Sequence, residues 1–258
     1  MVKIATWNVN SVNARLANMV EWLAEAAPDI VLLQEIKCVD GAFPRLAVEQ
    51  AGYHVETHGQ KSYNGVAILS RQPVEVTRRG LPGDESDEQA RYIEGITCGL
   101  KVASIYLPNG NPLGTPKFPY KLAWLERLRA HAARLLEGDV PVVLGGDYNV
   151  IPEDRDCRNP DEWLGDALFQ PESRRAFRAL LHLGYYDAFR TLHPEQAGAY
   201  TFWDYQGGAF QTDDGIRIDH LLLSPAAADR LEACEIHKAP RGRPKASDHT
   251  PIVVTLSD

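Results

Sequence analysis

The stretch VPVVLGGDYN (residues 140–149) decides the reading of the fold: an apolar, β-branched run passes through two glycines and ends in an acid and an amide. A short apolar run bounded by turn residues is the pattern of a strand buried on both faces. It follows a segment near 121–136 in which Leu122, Leu125, Leu128, Ala132, Leu135 and Leu136 fall at helical spacing. Upstream the same order occurs. Leu16, Met19, Val20 and Leu23 mark an amphipathic helix, with Ser11 or Asn13 as candidate caps and Pro28 beyond its end. DIVLLQE (29–35) then reads as a strand whose polar end carries Gln34 and Glu35. Helix-then-strand therefore occurs twice, although too weakly to count as a sequence repeat.

Further strands are expected at 2–7, 65–70, 74–78, 91–98, 102–107, 217–223 and 251–256, and a third helix at 172–183. So many strands with so few long helices exclude a simple βαβ alternation, in which each strand has its own helix. Two sheets packed face to face, with helices on their outer faces, satisfy the count. The acidic turn PGDESDE (82–88) and the region 152–171 read as surface excursions placed to border a site.

The chain has 258 residues, 44% hydrophobic and 24% charged, which is enough apolar material for a large core, and no linker divides it. One domain spanning residues 1–258 is the expectation. A net charge of −8 argues against a general polyanion binder while leaving room for a local basic face. Cys38, Cys98, Cys157 and Cys234 lie far apart without CxxC spacing, so neither a zinc knuckle nor a disulfide framework is indicated, and a reducing compartment fits. No signal-peptide pattern opens the chain, and no run of about 18 apolar residues suits a membrane span, so a cytoplasmic protein is expected.

Polar residues gather at the strand ends. Asn8 and Asn10 follow the first strand, Glu35 ends the second, and Asp147 and Asn149 end the VVLGG strand. Asp219 sits inside IRIDHLLL, and Asp248 and His249 precede the last strand. Taken singly, an Asn after a strand is a turn residue, Glu35 a surface acid and His249 a structural histidine. GGDYN lacks the remaining acids of a calcium loop, which excludes an EF-hand. Asp219 breaks the bland pattern, because an ionised carboxylate among Ile216, Ile218 and Leu221–Leu223 is costly unless paired or ligated. His249 is its natural partner, since an Asp–His pair fixes the imidazole tautomer and supports its charge. Together, several carboxylates and amides with one histidine and no cysteine suit a hard cation such as Mg2+ or Mn2+, and such sites act on phosphate esters.

The segments ATWNVNSVNARL, VLLQEIK, GVAILSR, IYLPNG, GGDYNV, RIDHLLLS and SDHTP, in this order, resemble the exonuclease III family of abasic-site endonucleases, within the endonuclease/exonuclease/phosphatase superfamily. The resemblance covers essentially the whole chain. It implies a four-layer α/β sandwich, DNase I-like, with two mixed β-sheets packed face to face and flanked by helices. It also implies Mg2+-dependent hydrolysis, with Mn2+ as a substitute, of the phosphodiester 5′ to abasic sites in duplex DNA, with 3′→5′ exonuclease and 3′-phosphatase activities. The implied partner is duplex DNA with abasic sites or 3′-blocked ends, and the implied state a monomer. By the same resemblance Glu35 is the principal metal ligand, helped by Asn8 and Asn10. Asp147 orients or deprotonates the attacking water beside Asn149. Asp219 pairs with His249, which contacts the scissile phosphate. Tyr106 and Asn109 hold phosphate oxygens, Tyr106 also assisting the leaving group, and Asp248 assists a second metal or orients its neighbours. Phe202, Trp203, Ile216 and Ile218 wall the abasic pocket.

Two positions depart from the pattern. Some relatives have Asp where this chain has Asn10, so less negative charge is expected around the metal, and Ile216 stands where some have Trp, so the pocket wall is reshaped. SIYLPNG has no histidine beside Tyr106, which distinguishes it from DNase I-like and sphingomyelinase-like members.

The loop HKAPRGRPKASDH (237–249) carries Lys238, Arg241, Arg243 and Lys245 against one acid and leads into Asp248 and His249. A charge run is commonly only a solvated face. Here Pro and Gly open it beside the phosphate site, so Arg241, Arg243 and Lys245 are expected to clamp the backbone, with 58–65, Arg91, Lys117 and Lys121 as lesser candidates. Phosphate contacts position a duplex without reading sequence, so selectivity is expected from extrusion of the damaged nucleotide into a small apolar pocket. The alternatives are a lipid or inositol phosphoesterase of the same superfamily, and a catalytically silent DNA-binding module.

Overall fold

The computed structural model describes residues 1–258. Its strands are β1 (Val2–Asn8), β2 (Ile30–Gln34), β3 (His54–His58), β4 (Val66–Ser70), β5 (Glu75–Arg79), β6 (Tyr92–Thr97), β7 (Leu100–Tyr106), β8 (Val142–Asp147), β9 (Tyr186–Asp187), β10 (Asp219–Leu223), β11 (Leu231–Ile236) and β12 (Ile252–Leu256). Helices α1 (Val12–Ala26), α2 (Arg45–Gln50), α3 (Lys117–Leu135), α4 (Pro171–His182) and α5 (Ala188–Leu192) complete the framework used below.

The strands form two six-stranded sheets, ordered β11-β12-β1-β2-β4-β3 and β5-β6-β7-β8-β10-β9. Only β1–β2 and β7–β8 run parallel, and their crossovers contain α1 and α3. Parallel neighbours require such a crossover. The twice-occurring helix-then-strand pattern is therefore the second half of one β-helix-β unit in each sheet. The DNase I-like four-layer sandwich expected from the sequence is the observed architecture.

Both faces of each sheet are covered, which explains the continuous apolar runs. Ile4, Leu32, Ile68, Val143 and Leu221 fill the space between the sheets. Ala5, Val31 and Leu33, alternating with them, pack with Met19, Trp22 and Leu23 of α1. On the other outer face, Leu144 and Leu222 pack with Trp124, Leu125 and Leu128 of α3 and Phe177 of α4. The glycines of VVLGGD are steric requirements: a Cβ on Gly145 would lie 2.6 Å from Leu32 Cδ1, and one on Gly146 would lie 2.0 Å from the Ile105 carbonyl oxygen. At Gly146 the obstacle is backbone and no side chain fits; at Gly145 the Leu32 and Leu221 methyls would have to move.

Neither expected cap of α1 works as one. Ser11 occupies the position before the helix, but its φ of 81° removes it from the extended geometry in which a hydroxyl reaches the first turn, and it makes no side-chain cap bond. Its N–H instead donates to the Glu35 carbonyl, docking the start of α1 on the loop after β2. Asn13 lies inside the helix, its amide on the Ala42 carbonyl. The helix ends at Ala27 in the left-handed region, just before Pro28. All four cysteines are free thiols.

Candidate active site

Strand register brings the polar ends together. Asp147, at the end of β8, is paired with Tyr106 on one side and with Asp219, the first residue of β10, on the other. In the facing sheet Asn8 is paired with Gln34, and Glu35 follows. The sheets are tied beneath the site by Gln34, whose amide donates to the Ser104 and Thr6 hydroxyls, and above it by Asn8. The Asn8 Nδ2 group donates to Glu35 Oε1 at 2.8 Å and to Asp147 Oδ2 at 3.0 Å.

His249 Nδ1 lies 2.8 Å from Asp219 Oδ2, and its Nε2 lies 3.7 Å from Asp147 Oδ2. The expected pair thus exists, buried and turned toward a second carboxylate. The Asn149 N–H donates to Asp147 Oδ1 at 2.9 Å, and Asn109 Nδ2 donates to Asn149 Oδ1 at 3.1 Å. Burial pushes the Asp147 carboxyl upward and the neighbouring Asp219 charge adds to this, against the opposing pull of His249 and the bonds from Asn8 and Asn149. Burial alone would depress the His249 imidazolium, but the Asp219 and Asp147 carboxylates outweigh it and hold the ring protonated well above the ordinary histidine range. Burial, with Glu35 and Asp147 nearby, raises the Tyr106 phenol, so Tyr106 remains a proton donor. The Arg91 guanidinium lies 4.7 Å from the Tyr106 ring centroid.

Glu35 is partly exposed, and its carboxyl lies below the usual range because the Asn8 amide and the Lys37 ammonium outweigh the desolvation. Lys37 Nζ stands 2.8 Å from Glu35 Oε2 and 2.7 Å from Asn10 Oδ1. The Asn10 amide donates to Asp248 Oδ1 at 3.1 Å, linking the last of the expected residues. Asn10, Ser11, Glu35, Lys37 and Asn149 all have positive φ without being glycine, a concentration of backbone strain at one place. Lys37 stands in VLLQEIK, where nothing in the sequence pattern sets it apart from a solvated lysine.

These residues suit a hard cation. Glu35 and Asn10 already offer oxygens to a positive charge, the Lys37 ammonium. Ligand atoms of Asp147, Asp219 and His249 lie within 4.8 Å of one another, and Asp219 Oδ1 is buried without a hydrogen-bond partner. Asn8 differs: it turns its NH2 group to the carboxylates, while its Oδ1 accepts the Asn10 N–H at 3.0 Å. As placed, it bridges the acids instead of adding an oxygen.

A cavity of about 240 Å3 opens above this cluster, walled by Tyr106, Phe202, Ile216, Ile218, Trp163 and Leu168. Trp203 corrects the expected wall. Consecutive residues of an extended segment point to opposite sides, so Phe202 packs on the His249 ring at 5.0 Å while Trp203 faces away, donating to Asp213 Oδ1 and packing on Phe210. Trp203 lines instead another cavity of about 570 Å3, with Cys234 and His237. Trp163 and Leu168 take its place. They come from the 152–171 excursion, which has no periodic pattern to reveal them.

The basic loop is also corrected. Arg241 donates to the Trp203 and Asp204 carbonyls, and Arg243 is bound to Glu25 at 2.6 Å and to Glu21 on α1. Both arginines pin the loop to the body of the protein, because carbonyls and helix acids lie within their reach. Lys245 alone of the three is exposed without a polar partner. Lys121 is buried and donates to the Asn109 and Asn149 carbonyls, joining the two loops that carry those residues. Arg91 and Lys117 line a cavity of about 350 Å3 beside Asn109.

The endonuclease/exonuclease/phosphatase family model matches residues 5–249. Exodeoxyribonuclease III of Haemophilus influenzae is 36% identical over 262 residues, covering 97% of this chain and 98% of the relative. An AP endonuclease from Archaeoglobus fulgidus superposes with a TM-score of 0.95 at 38% identity, and a 3′ phosphatase from Neisseria bound to a product DNA hairpin with 0.97 at 39%. Both structures are covered completely, as is this chain.

Proposed function

The chain belongs to the endonuclease/exonuclease/phosphatase family, in its exonuclease III branch, and is a DNA repair nuclease; from that premise we propose that it hydrolyses the phosphodiester 5′ to abasic sites in duplex DNA. On this reading it is one catalytic domain over residues 1–258, monomeric and cytoplasmic, with 3′→5′ exonuclease and 3′-phosphatase activities on the same cluster. No helix is long and apolar enough to cross a membrane. The observation that carries the reading is the buried Asp219–His249 pair facing Asp147 across 3.7 Å, with Asn8 joining that carboxylate to Glu35.

Glu35 and Asn10 would hold Mg2+, or Mn2+ in its place, which when bound supplies a Lewis acid that offsets charge on the phosphate and the leaving oxygen. The remaining work belongs to the protein. Asp147, its carboxyl raised toward neutral pH, accepts a proton from the attacking water, a match of basicity to task. Asn149 fixes that carboxylate through its N–H and aligns the water. The His249 imidazolium, held by Asp219, donates Nε2–H to a phosphate oxygen and stabilises the charge that grows there. Water bonds to phosphorus, the P–O3′ bond breaks, and the departing O3′ takes a proton from Tyr106. The products are a 3′-hydroxyl and a 5′-phosphate on the abasic residue. Lys245, Arg91 and Lys117 hold flanking phosphates, so affinity falls with added salt. The cavity over the cluster admits a sugar without its base.

The test is an end-labelled duplex with one internal abasic analogue, incubated with Mg2+ or with EDTA and sized on a denaturing gel. Incision immediately 5′ to the lesion, abolished by EDTA, is the expected result. Absence of incision, with turnover of small phosphate esters or liposomes, would replace the reading with that of a lipid or inositol phosphoesterase.

A further inference from the structure

Behind the wall of the catalytic cavity lies a second one of about 380 Å3, lined by Glu162, Gln206, Gly207, Ala209, Asp214 and Gly215. Four residues, Trp163, Phe202, Asp204 and Ile216, line both. The two spaces are therefore adjoining, separated in part by two half-buried aromatic side chains, Trp163 and Phe202. The catalytic cavity, at about 240 Å3, is below the roughly 300 Å3 at which sites for whole organic ligands begin, whereas the second cavity lies above it. An extruded abasic residue needs only the first. A residue that keeps its base needs more space, and the second cavity, which shares four wall residues with the first, adjoins it.

We propose that this second cavity is a nucleobase subsite, which receives the base of an intact 3′-terminal nucleotide while its phosphate lies at His249. The inference rests on the nuclease reading above and gives the base of a 3′-terminal nucleotide a place of its own. The shared wall supplies what a base requires: Trp163 and Phe202 present aromatic faces, and stacking on such faces is tolerant of base identity. Glu162, Asp204 and Asp214 set negative charge around the cavity, which rejects the phosphate backbone and leaves the uncharged part of the nucleotide as occupant. The chemistry is unchanged. Water adds to phosphorus, the P–O3′ bond to the penultimate nucleotide breaks, its oxygen takes the proton, and a nucleoside 5′-monophosphate departs. Trp163 thus borders both modes of use.

The subsite is tested by filling it. Gln206→Trp and Ala209→Trp place bulk in the second cavity from an exposed and a half-buried position, neither of which lines the first. Each variant, with its melting temperature checked against the parent, is assayed on recessed 3′ ends and on a duplex with an internal abasic analogue. Release of nucleoside monophosphates should fall at least tenfold in kcat/KM, while abasic incision stays within twofold. Retention of both activities, or a parallel fall in both, overturns the subsite. A parent protein that incises abasic sites yet releases no nucleotide overturns the subsite alone, and one inert on abasic duplex overturns the functional reading together with it.

Discussion

Residues 217–220 enter two buried charge clusters of opposite character. Arg217 is bonded to Asp156 at 2.7 Å and to Asp187 at 2.8 Å, with His220 Nδ1 at 3.0 Å and Arg190 on the same Asp156. Two residues away, Asp219 joins His249, Asp147 and Glu35, where Lys37 and His249 face three acids, and four with Asp248. Two guanidinium groups balance two carboxylates in the first cluster, and His220 stays neutral there, pushed down to about 4 by burial and by Arg217. In the second, the acids hold His249 protonated. The same side chain is driven in opposite directions by the charge around it. A balanced buried cluster holds the chain together, whereas an acidic excess at the end of a sheet has capacity left for a cation and a phosphate.

The difference is most sharply broken at His249. His249→Asn should lower kcat about 10³-fold or more in single-turnover incision, with DNA affinity nearly unchanged, since it removes a proton donor and a transition-state charge together. Near-normal turnover would remove His249 from the chemistry. Arg217→Met should act on stability instead, by about 3 kcal/mol, because it leaves Asp156 and Asp187 buried without their shared cation. A melting temperature close to that of the parent would show that this cluster does not hold the fold. Glu35→Ala should raise the Mg2+ needed for half-maximal activity at least tenfold, and an unchanged requirement would count against Glu35 as ligand.

The smallest expected effect is a pH dependence. His220 has an ordinary value of 6.5 when unfolded and about 4 when folded, so the unfolded chain binds more protons between these limits. Stability is therefore retained above 6.5 and falls as the pH drops toward 4, by about 2 kcal/mol between pH 7 and 5. His220→Asn should flatten that slope in denaturant titrations, and an identical slope would place the titration elsewhere.

The sequence made the centre of each sheet legible and its margins much less so. β1, β2, β8 and β12 are buried on both faces and announce themselves as apolar runs. The missed strands lie at sheet edges: β3 alternates His, Val, Glu and Thr, β9 has two residues, and β11 carries an irregularity between Leu231 and Ala233. Asp219 was legible because its cost in an apolar strand demands a partner, and the structure supplies His249. The same argument applied to Arg217 would have found the second cluster, since an arginine beside Ile216 and Ile218 is equally costly. Trp203 was misplaced for want of the parity of one extended segment. Trp163, Leu168 and the bonds of Arg241 and Arg243 depend on irregular loops, whose course no periodicity records.

β1 pairs with β12, Thr6 lying opposite Ile252, and Trp7 donates its indole N–H to the His249 carbonyl. A chain emerging from the ribosome thus holds Glu35 and Asp147 long before it holds His249, and β1 waits for a neighbour made some 240 residues later. The cluster of Asp147, Asp219 and His249 is therefore completed only once the segment that carries His249 has been made.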